Sequence, residues 1–140
     1  MSAPVARRYF LRAREALRRG DLGGASEGFS AAVELAPDFV EARIGHALIL
    51  SRSNTRAATQ SLRTALGRVK RAGERAHLLC ALGDVLVAAD DYLGAEAAYA
   101  EASGLPNASP ARLHDRLARL RAKTGNYAAA IDELLAAARG

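Results

Sequence analysis

The chain has no tryptophan, one methionine, four prolines and a single cysteine in 140 residues. Each shortage excludes something. One cysteine, Cys80, cannot form an intrachain disulfide framework. Scarce proline leaves long stretches free to be helical. Only 5% of the residues are aromatic, and Val, Ile, Thr and aromatics never gather into alternating runs. Strands are therefore not signalled. No apolar run approaches the roughly 20 residues that span a bilayer. The N-terminal stretch MSAPVARRYFLRAREALRRG lacks the uninterrupted apolar core of a secretory signal. It is Arg-rich, faintly like a mitochondrial presequence, but Glu15 and the internal match described below argue against its removal. A cytoplasmic protein is the simplest expectation. Lysine is nearly absent as well: two residues against 18 arginines.

Arginine, alanine and glycine together give the bacterial-like composition of GC-rich codon usage. Such usage alone can supply the net charge of +5. A basic chain invites a nucleic-acid reading. Against it, aromatics are not interleaved with the arginines for base stacking. The charge is also blocky: residues 1–20 hold six Arg and one Glu, whereas residues 76–110 hold no Lys or Arg. Nucleic acid is not an expected partner.

Abundant alanine, the best helix former, is arranged with a period. DDYLGAEAAYAEA, from Asp90, has counterparts in GDLGGASEGFSAA from Gly20, SNTRAATQSLRTA from Ser53 and GNYAAAIDELLAA from Gly125. Alanine holds the sixth place in each (Ala25, Ala58, Ala95, Ala130). A large apolar residue holds the tenth (Phe29, Leu62, Tyr99, Leu134), and alanine the thirteenth (Ala32, Ala65, Ala102, Ala137). Positions i, i+4 and i+7 share one helix face. Small residues there let another helix approach, and the large one fills the space between. Each window opens on a turn signal whose Asp or Asn can cap a helix. An amphipathic segment precedes each turn, as in LLCALGDVLVAA and ARLHDRLARLRAKT. The unit is helix, turn, helix, four times over, and the chain is all-α. The second unit departs most: His46 stands at an apolar place, and its turn reads one residue short.

At Leu79, Leu82, Gly83, Leu86, Tyr92, Ala95, Tyr99 and Ala102 the sequence resembles the tetratricopeptide repeat family. The resemblance covers nearly the whole chain. It implies one domain, 1–140, with approximate repeats 6–39, 40–72, 73–107 and 108–140. It also implies an α-α superhelix, a right-handed solenoid of antiparallel helix pairs, acting as a protein–protein interaction scaffold or adaptor without catalysis. In this family the first helices line a concave groove that takes a peptide. By position, the groove is expected at Arg7, Phe10, Arg14, Leu17 and Arg18, then Glu41, Ile44, Leu48 and Arg52. It continues with His77 and Asp84, and ends with Arg112, Asp115, Arg119 and Lys123. Its basic rims would steer an acidic peptide. A clamp for chaperone C-terminal carboxylates is not expected, because Phe10, Gly45 and Ala81 occupy places where that clamp needs polar or basic side chains.

Other chemistry finds little support. His46, His77 and His114 have no HxxxH or CxxC spacing around them, so no metal is expected. Cys80 has no base in an evident register, so no nucleophilic catalysis is expected. Cofactors are not implied. Ile131, Leu134, Leu135 and Ala138, by contrast, form an apolar face with no following repeat to cover it. That face is expected to bind a partner or a second copy, or to meet a further repeat if the chain is a piece of a longer protein.

Overall fold

The computed structural model describes residues 2–106, 110–123, 125 and 127–139, the side chains of residues 2, 110, 111, 127–130 and 139 excepted. Among the described residues there are eight helices and no strand. They are α1 (Ser2–Arg18), α2 (Leu22–Leu35), α3 (Val40–Leu50), α4 (Thr55–Leu66), α5 (Ala72–Ala88), α6 (Tyr92–Ser103), α7 (Pro110–Lys123) and α8 (Tyr127–Arg139). They fall into two compact units, residues 1–69 and 70–140.

The turns explain why the helices end where they do. Gly20 sits at φ +79° and Asp90 at +61°, both left-handed. The Gly20 N–H bonds the Leu17 carbonyl and the Asp21 N–H bonds that of Ala16, at 3.0 and 2.9 Å. Asp90 and Asp91 repeat this with Val87 and Leu86. This is the paired closure of a helix C-terminus by a left-handed residue. The aspartate that completes it then opens the next helix. Asp21 accepts the Gly24 N–H at 2.9 Å, and Asp91 accepts the Gly94 N–H at 3.0 Å.

The second turn differs from expectation. It is one residue longer, not shorter: Ser51, Arg52 and Ser53 separate α3 from Asn54, the residue that caps α4. With the extra residue none of the three needs positive φ, and Asn54 still caps through the Ala57 N–H at 3.0 Å. What is short in this pair is the helix, 11 residues in α3 against 17 in α1 and α5.

In the first unit α2 packs on α1 and α3, and α3 on α4. Phe29 is the centre of one cluster with Ala13, Ala16 and Ala25. Gly45 lets the Phe29 ring approach α3, since a Cβ there would lie 2.8 Å from the ring. Phe10 bridges this cluster to a second one of Ala6, Ala32 and Ala42. Its ring lies 5.7 Å from Phe29 and 4.9 Å from Phe39, in tilted pairs. In the second unit α6 packs on α5 and α7, and α7 on α8. Helix α5 is buried on most sides, through Leu78, Leu79, Leu82, Val85 and Leu86 among others.

The repeated motif separates by position. Its alanines at 25, 32, 58, 65, 95 and 102, and its large residues Phe29, Leu62 and Tyr99, are all buried. Leu134, the fourth large residue, is 50% exposed. The roles expected of Asn126, Tyr127 and Ala130 lie outside the described residues.

Candidate functional site

A cleft of about 540 Å³ opens in the second unit, between α5, α6 and α7. Helix α7 builds one wall. Arg112, Arg116, Arg119 and Lys123 recur on one face at helical spacing. Helix α5 contributes Asp84 and Val87, and α6 contributes Tyr99. Four cations against the carboxylates of Asp84 and Asp115 leave the lining net positive.

Asp84 is the junction of the three helices. It accepts the Tyr99 hydroxyl at 2.5 Å and the Arg116 guanidinium at 3.1 and 3.3 Å through both oxygens. The two-pronged geometry is the stronger kind of Arg–carboxylate contact. Burial first, and then the bond to Asp84, push the Tyr99 hydroxyl far up, so it stays protonated and donates. Next to it Arg119 pairs with Asp115 along α7 at 3.0 Å. A second polar network lies in α6, α7 and α8. Arg121 reaches Glu96, at 3.0 Å, and Glu133, which also meets His114. Burial opposes ionisation of Glu133, but the His114 and Arg121 bonds outweigh it and hold the carboxyl below its ordinary range.

The cleft gathers Asp84, Arg112, Asp115, Arg119 and Lys123 from the expected groove. His77 is exposed on α5 and outside the lining. In the first unit Arg7 is exposed on α1, and Arg14 sits 5.7 Å over the Phe10 ring. Phe10 itself is half-buried in the aromatic cluster, so much of its area serves packing. Leu17 is exposed, and Arg18 lies beside Glu15 at 3.9 Å. On α3 Glu41 and Leu48 are exposed and Ile44 is half-buried. Arg52 is not on a first helix at all; it lies in the turn after α3.

Two of the polar lining residues were not expected as site residues. Arg116 escaped because the family positions fall at 112, 115, 119 and 123. Tyr99 was expected only to pack. Its ring is buried, but its hydroxyl sits on the cleft side bonded to Asp84. A buried tyrosine in place of the usual phenylalanine was the available signal, since its hydroxyl needs a partner.

The other candidates are placed as follows. His46 is half-buried, and burial together with Arg43 lowers its pKa. Cys80 is half-buried; burial pushes its thiol up, while the Arg116 charge opposes this. A raised thiol pKa is the reverse of what an activated thiolate requires. Among the described residues no group of three His, Cys, Asp or Glu side chains could hold a metal ion. Nor is any described helix long and apolar enough to cross a membrane.

No family model and no curated protein matches the chain. Solved structures do. The structure described as a functional characterization of Pseudomonas aeruginosa pilF is similar over 99% of this chain, with a TM-score of 0.83 and 21% identity. This chain spans 62% of that one. A thermophilic TPR protein of Thermus thermophilus is similar over 92% of the chain and 70% of its own length, with a TM-score of 0.68 and 21% identity. A Thermobaculum terrenum O-GlcNAc transferase variant is similar over 86% of the chain but only 22% of its own length, with a TM-score of 0.72 and 25% identity. The fold thus also occurs as part of an enzyme's chain. The repeated Ala–large–Ala helices, their shared turns and these likenesses agree: the chain has the tetratricopeptide-type helical-repeat fold.

Proposed function

We propose that the chain is a non-catalytic interaction module that binds an acidic segment of another protein in the α5–α7 cleft. The carrying observation is the row of Arg112, Arg116, Arg119 and Lys123 along one wall of a cleft of about 540 Å³. Its positive surplus attracts and orients an acidic chain. Its chemistry favours binding over catalysis. Asp84 is committed to Tyr99 and Arg116, and the Cys80 thiol is pushed up by burial.

Charge reversal tests this. In fluorescence anisotropy with labelled acidic peptides, the full chain should bind, and Arg112→Glu combined with Lys123→Glu should bind at least about tenfold more weakly. Both side chains are exposed, so the double variant should keep its helical circular dichroism. Equal binding by a folded variant would remove the cleft from consideration.

A second reading, self-association, is favoured by α8. Ile131, Leu134 and Leu135 are each 50% or more exposed and Ala138 is exposed. A contiguous apolar face of this kind is unusual on a monomer surface. By this reading the wild-type chain sediments as a dimer or larger species at high concentration, and Ile131→Asp with Leu134→Asp returns it to monomer. A wild-type chain that stays monomeric across the concentration range would end it.

A further inference from the structure

The positive charge in the cleft is not spread evenly. Of the four cations that α7 gives the cleft, the inner two are already paired with carboxylates. Arg116 is held by Asp84 at 3.1 and 3.3 Å, and Arg119 by Asp115 at 3.0 Å. The outer two, Arg112 and Lys123, have no carboxylate partner among the described residues. Between them the lining offers Val87 and Leu120. The cleft therefore has two positive ends and a neutral, partly apolar middle.

Resting on the reading of this cleft as a peptide site, we infer that it selects an extended segment with two acidic side chains four residues apart, on one face, and neutral residues between them. The spacing follows from the helix. Arg112 and Lys123 are eleven residues apart on α7, or about 16 Å along its axis at 1.5 Å per residue. An extended chain turns side chains to one wall only at every second residue, so the matching interval is four residues, about 13 Å at roughly 3.3 Å each, with the flexible Arg and Lys side chains closing the remainder.

Two features favour this ligand over others. Asp115 lines the cleft with one carboxylate oxygen outside its pair with Arg119. It can accept an N–H group from an extended backbone, whereas a helix has already used its own. Acids placed centrally meet only cations that are already paired, beside Val87 and Leu120, so a continuous acidic run gains little over two spaced acids.

The test uses the full chain and four capped, fluorescein-labelled peptides at one near-physiological ionic strength. Three are heptapeptides: Glu at positions 1 and 5 with alanine, serine and valine elsewhere, the same composition with the two Glu adjacent at positions 3 and 4, and Glu at positions 1 to 6. The fourth is a helix-forming peptide with Glu eleven residues apart. The spaced heptapeptide should bind about fivefold tighter than the adjacent one and no more weakly than the continuous run. Arg112→Ala or Lys123→Ala should each weaken the spaced peptide more than the adjacent one, and so erase that preference. Equal affinities for spaced and adjacent peptides, with binding still lost on charge reversal, would overturn the spacing rule and leave the cleft as a general acidic-peptide site. Tighter binding of the helical peptide would overturn the extended mode. No binding of any peptide would overturn the functional reading, and the spacing rule with it.

Discussion

Tyr99→Ala should cost the protein about 3–5 kcal/mol of stability, the range for truncating a large buried aromatic. Tyr99 is 3% exposed, in the middle of an Ala–Tyr–Ala helix face whose two alanines are fully buried. Removing the ring leaves a void that alanine neighbours cannot fill, because a methyl group has no torsion that could carry it into the space. Tyr99→Phe separates the ring from the hydroxyl. It should cost less, about 1.5–3 kcal/mol, the worth of one hydrogen bond to a charged group. Asp84 would still be held by Arg116. Urea unfolding followed by circular dichroism measures both. A loss below about 1 kcal/mol for Tyr99→Ala would show that the ring does not carry the α5–α6 packing. A Tyr99→Phe cost as large as that of Tyr99→Ala would place the hydroxyl, not the ring, at the centre of the unit.

Gly83→Ala is expected to destabilise, although alanine is the better helix former. The intrinsic preference favours alanine by about 0.8–1 kcal/mol inside a helix. Here a Cβ at position 83 would lie 2.3 Å from one Tyr99 ring carbon and 2.6 and 2.7 Å from two more. The ring cannot retreat freely, since it is buried and its hydroxyl is bonded to Asp84. Overpacking of this kind costs about 1–3 kcal/mol, so the net loss should be up to about 2 kcal/mol. Two comparisons make the cause visible. Gly73, near the start of the same helix, has no neighbouring atom within 4 Å of a built Cβ. Gly73→Ala should therefore be neutral or slightly stabilising. In a Tyr99→Ala background Gly83→Ala should also lose its cost, the coupling that a double-mutant cycle detects. An additive cycle would mean that the clash is not with Tyr99.

Both predictions depend on contacts that sequence reveals only in part. The spacing of Ala25, Phe29 and Ala32, and of its counterparts, placed the buried faces of α2, α4 and α6 directly, because a helix face is a local property. Capping by Asp21, Asn54 and Asp91 was equally local. The Asp84–Tyr99–Arg116 junction was not. Its members are 15 and 32 residues apart in the chain, and no periodicity within one helix marks a bond among three. Leu134 shows the converse limit. Its place in the motif matches Tyr99, but a motif position records which way a side chain points, not whether anything covers it. Arg52 failed for a third reason: α3 ends at Leu50, earlier than the register of the other first helices implied.

Asp84 serves as strut and cleft wall at once, and this constrains how the chain can change over generations. A substitution at Asp84 or Tyr99 that alters what the cleft accepts also loosens three helices, so natural variation there meets a stability filter first. Arg112 and Lys123, exposed and unencumbered at the two ends, meet no such filter. New preferences should accumulate at those ends, with the junction between them inherited nearly intact.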